Sequence, residues 1–458
     1  MADGEDTGSV RLGPFERLYE SLFAEALEGG EISAEERERL NLAAKALGLD
    51  ALRVAGLEAA LLDAWESDAA ETLVDPRSPV HADPGTLADR WPSSSTAPPL
   101  PSFEDDDDPP TLARPKGDKN EKSAARGGKR RELPRELPFR ELHSRYETAS
   151  REAALDDQWR IAEVLVQRGA ATREQRAFWE KHRRPGPIRP TRPLSAEDWT
   201  SLLMHPDEDR TTGEVFGVIA SAALVGRVSA MRRDGTLPKL AADGYQNPLT
   251  STISAVRAIA WAAATLGIRT PPTFVDPGLE VGFEIVAIVP PSTRIGARVL
   301  SGLGSAQLAF HCGRHLAWYR EEHFICTLVP SVAYLETIFY AALLLGAPTL
   351  SLPDDVRERA RVFAQAIVPC LEPKQLERLR RLVARFLARG GRTNLKRWAR
   401  SAEWTACRTG LLLCGELATA ADALANEPGA ETRITQLETF WASEEAGDLR
   451  RKLGVALE

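Results

Sequence analysis

A long segment without a hydrophobic pattern divides this 458-residue chain into separate parts. Between residues 68 and 135 the sequence is rich in Pro, Ser, Asp and Lys, as in WPSSSTAPPLPSFEDDDDPP. Such a composition buries too little apolar surface to offset the entropy that a chain loses on folding. The sequence therefore predicts a disordered charged linker, which separates a short amino-terminal module from everything after residue 135. Its like charges favour an extended tether, and a docking role for KRR at 129–131 is the alternative.

The bulk composition restricts the classes of partner. The formal net charge is −8, which gives no electrostatic reason to expect nucleic acid or an anionic membrane as a partner. The most apolar stretch, residues 338–345, is much shorter than the roughly 20 residues that a bilayer requires. The first residues resemble no secretion signal, and five cysteines without a C-x-x-C pair favour a reducing compartment. We therefore expect a cytoplasmic protein.

Residues 12–67 predict a small helical module. FERLYESLFAEALEGG repeats apolar residues at helical spacing, and Ser33 with Glu36 forms a capping box for the next helix. The stretch EALEGGEISAEERERLNLAAKALGL resembles the tellurite-resistance TerB-like helical domain, in which an acidic-glycine turn joins two helices. That resemblance implies a divalent-cation site, and a solvated acidic turn is the alternative. The residues concerned are Glu28, Glu31, Glu35 and Glu36.

Residues 136–190 predict a helical hairpin. YETASREAALDDQWRIAEVLVQRG is read as one amphipathic run, and Thr172 with Gln175 caps the next helix. The apolar positions Trp159, Leu165 and Phe178 resemble one tetratricopeptide-like helix pair. A single pair of this kind cannot bury its own apolar face, because repeat arrays need about three units. We expect the hairpin to pack on the domain that follows.

Residues 194–458 predict a mainly helical α+β domain. Only PPTFVDPGLEVGFEIVAIVPPSTRIGARVL combines β-branched and aromatic residues with Gly and Pro punctuation, which favours short strands. The fold class is therefore mainly α, with a small β element in the carboxyl-terminal domain. The predicted helices cover 196–204, 211–233, 249–266, 305–320, 329–345, 354–369, 373–389, 393–425 and 431–444.

Two histidines in this domain stand four positions apart. Residues 306–320 read AQLAFHCGRHLAWYR, and the i,i+4 spacing places His311 and His315 on one helical face. Zinc peptidases use this spacing in H-E-x-x-H. The alternative is a helix that carries two histidines by chance, since the chain has seven.

The order of parts around this motif resembles the gluzincin metallopeptidases of the HtpX and CAAX prenyl endopeptidase family. There a β element precedes the H-E-x-x-H helix, and a later helix bears E-x-x-x-D. The order resembles more closely the carboxyl-terminal region of uncharacterised bacterial proteins in which tetratricopeptide-like helices precede this ending and the zinc motif is commonly eroded. The resemblance implies that His311, His315 and Glu403 stand at the three zinc-ligand positions.

Two positions depart from the family motif. Cys312 stands where the family has its catalytic Glu, and Cys407 where it has the Asp that supports a histidine. A peptidase of this class needs a carboxylate beside the zinc-bound water, which a buried thiol cannot replace. Loss of the supporting acceptor typically weakens metal binding about 10–100-fold. The resemblance thus implies a metallopeptidase-derived domain without catalysis or cofactor, with one zinc ion on His311, His315 and Glu403 as the alternative.

Three other interpretations remain open. A zinc-dependent metallopeptidase would need a displaced acid, for which Glu336 and Glu403 are candidates. Cys312 and His315, at i,i+3, could form a nucleophile–base pair, although a small buried thiol is the simpler interpretation. The basic run 374–400 could contact an acidic partner or nucleic acid, but the amphipathic pattern favours a solvated helix face with its leucines inward.

We therefore expect a bacterial scaffold or regulatory protein that binds another protein or a peptide. The expected binding place is the cleft between the strand 283–289 and the helix around His311, because an edge strand can accept an added strand. We expect neither nucleic acid nor a membrane as partner. The sequence leaves the partner's identity and the oligomeric state open.

Overall fold

The computed structural model describes residues 137–458 except residue 330, together with residues 34–46 and isolated positions between residues 19 and 58. The predicted linker at 68–135 lies outside the described residues. So does most of the predicted module at 12–67, including Glu28 and Glu31 of the acidic turn. Within that module, the structure describes one helix, which begins directly after the predicted cap residue Ser33.

The described chain is mainly helical with one small sheet, as the sequence predicts. In chain order the α-helices are α1 (Ala34–Ala46), α2 (Phe139–Arg151), α3 (Leu155–Gln167), α4 (Arg173–His182), α5 (Ala196–Asp198), α6 (Arg210–Arg233), α7 (Ser254–Leu266), α8 (Ala297–Leu300), α9 (Ser305–Leu316), α10 (Glu321–Phe324), α11 (Val332–Gly346), α12 (Asp354–Ile367), α13 (Pro373–Ala388), α14 (Leu395–Cys414), α15 (Leu417–Leu424), α16 (Ala430–Trp441) and α17 (Glu444–Lys452). A π-helix spans Trp199–Leu203, and short 3-10 turns span Ala242–Gly244, Ala317–Tyr319, Ile325–Thr327 and Val368–Cys370.

The sheet lies between α6 and α9 in the chain. Its strands are β1 (Tyr245–Gln246), β2 (Thr273–Val275), β3 (Phe283–Val286) and β4 (Ser292–Ile295). They are ordered β1-β2-β4-β3, with β2 parallel to β4 and the other pairs antiparallel. Three of these strands fall in the stretch that the Gly and Pro punctuation predicts. β3 pairs with β4 alone, so it forms one edge of the sheet.

Two predicted helices are broken in the structure. The amphipathic run that ends near Gly169 divides into α2 and α3 at Ala153, whose φ of 56° places it in the left-handed region. The predicted helix 393–425 divides into α14 and α15 at Gly415, with φ of 71°. Glycine adopts this conformation readily and terminates helices with it. The predicted helix 305–320 also ends early, at Leu316, and continues as a single 3-10 turn.

Helix α6 is the most apolar long helix of the fold. It is the one helix among the described residues that is long and apolar enough to cross a membrane, and 61% of its apolar window is buried inside the domain. Its aromatic residue Phe216 packs against Phe339 and Trp398, with ring centroids 5.3 and 5.0 Å apart. Most of this apolar window therefore packs against other parts of the domain.

The helices α2 to α4 pack on the carboxyl-terminal helices, and the hydrophobic core runs continuously from Leu137 to Leu457. Trp159 of α3 meets Trp441 of α16 edge-on, with ring centroids 6.2 Å apart. Both indole rings are almost fully buried. The apolar face of the hairpin is therefore covered by residues that lie close to 300 positions later in the chain.

Buried charged side chains also lie at this contact. We call the contact of Asp156, Arg160 and Glu163 with residues 417–457 the hairpin seam. The Asp156 carboxylate accepts hydrogen bonds from Arg160 Nε at 3.1 Å, Arg450 Nη2 at 2.9 Å and the Leu457 amide at 2.9 Å. Burial alone would raise the pKa of Asp156, but the two guanidinium groups hold it below its usual value. The carboxylate is thus ionised and surrounded by donors.

Candidate functional site

The candidate site is built on two helices whose backbones approach closely. A Cβ atom placed on Gly313 of α9 would lie 2.8 Å from the Thr409 carbonyl oxygen of α14. A Cβ on Gly410 of α14 would lie 2.7 Å from the Phe310 carbonyl oxygen of α9. Distances this short exclude a side chain at either position. The two glycines therefore allow the histidine-bearing helix to pack directly against the helix that carries Glu403 and Cys407.

His315 faces the sheet. Its Nε2 lies 2.9 Å from the hydroxyl oxygen of Thr293 on β4, and its ring stacks on Phe283 of β3 with centroids 5.0 Å apart. The Thr293 hydroxyl also lies 2.8 Å from the Tyr319 hydroxyl. Burial lowers the pKa of His315 to about 3, so the imidazole is neutral at physiological pH. The residue joins α9 to the sheet by packing and a hydrogen bond.

His311 lies one turn earlier on α9 and is partly exposed. Its ring meets the edge of Phe310, with centroids 5.7 Å apart. Burial and the neighbouring Arg314 charge lower its pKa, and the Glu427 carboxylate opposes this shift. His311 is therefore an uncharged side chain beside a cluster of charges.

Glu403 belongs to that cluster, which we call the four-charge cluster: Arg314, Glu403, Glu427 and Arg433. Glu403 Oε1 lies 2.7 Å from Arg433 Nη2 and 3.4 Å from Arg314 Nη2. Glu427 pairs with the same two arginines, at 2.6 Å from Arg314 and 3.3 Å from Arg433. The Glu403 carboxylate is 6% exposed and is neutralised by two guanidinium groups. It has the role of a structural anion here.

The two cysteines at the altered motif positions are buried. Cys312 is fully buried, which raises its pKa well above the usual value, so the thiolate that a nucleophile requires is disfavoured. Cys407 lies beside the four-charge cluster, and burial raises its pKa to about 11. Cys312, Cys326, Cys407 and Cys414 are all buried free thiols. Neutral thiols at these positions act as small apolar residues.

The three predicted zinc ligands do not converge. Among the residues that the structure describes, no three His, Cys, Asp or Glu side chains are grouped as a metal ion would require. His315 Nε2 faces Thr293, whereas Glu403 faces Arg314 and Arg433. As arranged, these side chains do not fit a tetrahedral zinc ion, which needs its donors free and directed at one point. Zinc binding remains a prediction from the motif alone.

Glu336, a candidate displaced acid, lies on α11 and is half-buried. Burial raises its pKa. Within residues 137–458, no hydrogen bond or ion pair joins it to His311 or His315. Glu403, the other candidate, is held by arginines. In the described part of the chain, neither carboxylate is hydrogen-bonded to His311 or His315.

Sequence reasoning missed a second polar centre next to the site. His323 of α10 lies 2.7 Å from the Glu208 carboxylate, and both side chains are fully buried. Burial alone would lower the pKa of His323, but Glu208 raises it above the usual value. Glu208 also accepts a hydrogen bond from Thr405 of α14. No spacing rule could reveal this pair, since the two residues are 115 positions apart.

Comparison with known proteins adds no neighbour to this description. No protein-family model, no curated protein and no solved structure matches the chain. The TerB-like and metallopeptidase-like resemblances rest on the quoted residues alone.

We expect acid to destabilise the fold through the buried neutral histidines. The pKa of His205 is lowered to about 2 by burial and Arg408, and that of His315 to about 3 by burial. Each histidine binds a proton near pH 6.5 when unfolded but not when folded, so stability is complete above pH 6.5 and declines as pH falls. Between pH 6.5 and pH 5 each should cost about 2 kcal/mol.

Urea unfolding of the full chain at pH 7, 6 and 5 measures this loss. In the variant His315→Gln, the decrease in stability on acidification that we assign to the two histidines should be about half as large. His182→Gln, at a partly exposed position, is the matched control and should keep the full dependence on pH. An unchanged slope in His315→Gln would contradict the prediction.

Proposed function

We propose that this chain is a non-catalytic cytoplasmic scaffold that holds an extended peptide segment of a partner protein along β3. The observation that carries the proposal is that His315, Glu403 and Cys312 are already engaged in contacts within the fold. His315 is bonded to Thr293, Glu403 is paired with Arg314 and Arg433, and the Cys312 thiol is buried. Side chains engaged in this way support the packing of α9, which is what a non-catalytic role requires of them.

The edge of the sheet offers the binding surface. On β4, the Thr293 amide donates to Pro272 and the Ile295 carbonyl accepts from Asp276, so these groups point towards β2. In the antiparallel register, Phe283 pairs with Ile295 and Ile285 with Thr293. Alternation along a strand then directs the amide and carbonyl groups of Phe283 and Ile285 away from β4, towards the free edge.

These outward groups have no backbone hydrogen bond within the described part of the chain. Val281, two residues before the strand, is 48% exposed. An extended peptide could pair with the amides and carbonyls of Phe283 and Ile285 as a fifth strand. Phe283 of β3 stacks on His315 of α9, so helix α9 would support β3 on one face of the sheet while the peptide pairs with its edge.

The alternative function is a zinc-dependent metallopeptidase with a displaced general base. That function requires a bound metal and a carboxylate near the histidines. Glu403 is neutralised by two arginines, and within residues 137–458 no hydrogen bond or ion pair joins Glu336 to either histidine, so the geometry favours the binding function.

Selection of a displayed random peptide library on the full chain tests the proposal. The selected peptide should bind the wild type and the Ile285→Val variant equally. Ile285→Pro, which removes the outward amide, should weaken binding at least about tenfold. N-methylation of alternate peptide residues should abolish binding in one register and leave it intact in the other.

The peptide should also stay intact after long incubation with the chain. Cleavage that a chelator abolishes would establish the metallopeptidase alternative instead. Binding of equal strength to Ile285→Pro and Ile285→Val would contradict strand addition at β3.

A further inference from the structure

A cavity of about 370 Å³ lies where the segment 182–189 crosses Gly415 and the residues 454–457. This volume is far larger than a single inorganic anion needs and falls in the range of small-molecule sites. The cavity adjoins the hairpin seam, because Trp159 and Arg450 form part of its wall. It lies apart from the sheet edge and from the four-charge cluster, none of whose residues line it.

The lining is basic and has no acidic member. It includes Arg183, Arg184, Arg189 and Arg450, and no Asp or Glu. Arg183 is ion-paired with Glu416, and Arg450 with Asp156. Arg184 and Arg189 are exposed, and neither makes an ion pair with any residue between 137 and 458. Two cations therefore remain uncompensated at the rim.

Trp159 forms part of the same wall. Trp159 is 4% exposed, and its indole N–H has no hydrogen-bond partner in the described structure. The indole nitrogen itself is buried, so Trp159 contributes apolar ring surface to the wall. The Arg450 guanidinium lies 5.1 Å from the ring centre and adds positive charge at this wall.

The walls are fixed by backbone contacts. The Ile188 amide donates to the Leu413 carbonyl at 3.1 Å, and the Thr191 amide to the Leu453 carbonyl at 2.9 Å. Gly415 and Gly454 turn the chain with φ of 71° and 69°. A site held in this way loses little entropy when a ligand binds.

We propose that this cavity binds a phosphorylated organic molecule of about nucleotide size. Arg184 and Arg189 would hold phosphate oxygens, since the guanidinium fork matches their geometry. The Trp159 ring would add apolar surface beside the organic part. Ile188 and Val455 provide apolar wall for the organic part. The site does not depend on the proposed peptide binding at β3.

Calorimetric titration of the full chain with ATP and with pyrophosphate, both without divalent metal, tests the proposal. The wild type should bind ATP more tightly than pyrophosphate, because only ATP reaches the apolar wall. Reversing both rim charges, in Arg184→Glu with Arg189→Glu, should weaken ATP binding at least about a hundredfold.

The matched control is Arg361→Glu with Arg378→Glu, which makes the same change in net charge at exposed sites outside the cavity. ATP should bind this control as it binds the wild type. No heat with either probe, or an equal loss in the control pair, would overturn the proposal. So would binding of an acidic peptide but of neither phosphate probe.

Discussion

Replacing Asp156 with Ala is expected to lower the free energy of unfolding by about 3–5 kcal/mol, because it leaves charges buried without their partner. The Arg160 and Arg450 side chains are 2% and 5% exposed, and both donate to this carboxylate. The Leu457 amide would lose its acceptor as well. Arg160 would keep Asp157 as a counter-charge, but the desolvated Arg450 guanidinium would lose the carboxylate that it pairs with, which costs much more than the original pair contributes.

Guanidinium chloride unfolding of the full chain measures this effect. The control is Asp157→Ala, one residue along the same helix, where the carboxylate is 32% exposed and pairs with Arg160 and Arg451. Partial exposure screens that interaction, so the control should cost about 1 kcal/mol or less. Equal losses in the two variants would mean that burial of the Asp156 charge is not what stabilises the hairpin seam.

Gly410→Ala is expected to cost about 3 kcal/mol, because the added methyl group cannot fit between α9 and α14. The new Cβ would lie 2.7 Å from the Phe310 carbonyl oxygen and 2.8 Å from an atom of its ring. One of these contacts is with backbone, so relief requires the two helices to separate. Their separation would also disturb the four-charge cluster, which spans the same interface.

Gly226→Ala provides the matched control for this substitution. Gly226 also lies inside a helix, α6, but its added Cβ would have no atom closer than 3.8 Å outside its own helix. Alanine favours helix over glycine, so this variant should be stabilised by up to about 1 kcal/mol. Thermal unfolding of both variants should therefore give shifts of opposite sign. A stabilised Gly410→Ala would show that the helices are not in close contact.

Helix caps and the spacing of apolar residues predicted much of the fold. The capping box at Thr172 and Gln175 is present, with both of its hydrogen bonds formed. The basic helix α13 buries Leu379, Leu382, Val383 and Phe386 as its apolar spacing predicts. These features depend on residues within one or two helical turns of one another, which a sequence displays directly.

The helix breaks were harder to predict. At Ala153 nothing in the residue type signals a left-handed conformation, since alanine is a strong helix former. Gly415 has the right residue type, but the apolar periodicity continues on both sides of it and favours one long helix. Packing of α15 against its neighbours decides the break, and the sequence does not display that packing.

The candidate site was predictable in position but not in chemistry. The i,i+4 pair and the later Glu403 do lie on two helices that pack together. The partners that occupy these side chains, Thr293, Arg314 and Arg433, are brought there by chain topology over long separations. A motif therefore identified the helices, while the contacts that determine its role came from elsewhere.

The hairpin seam also affects how the protein folds during its synthesis on the ribosome. Its Asp156–Leu457 hydrogen bond joins residues 301 positions apart. At roughly 5–20 residues per second, about 15–60 seconds separate the synthesis of the two partners. During that interval the nascent hairpin has no Trp441 to cover its tryptophan and no Arg450 to meet its aspartate. The period of greatest exposure to aggregation is thus set by the speed of translation, and a chaperone that shields α3 would act in that window.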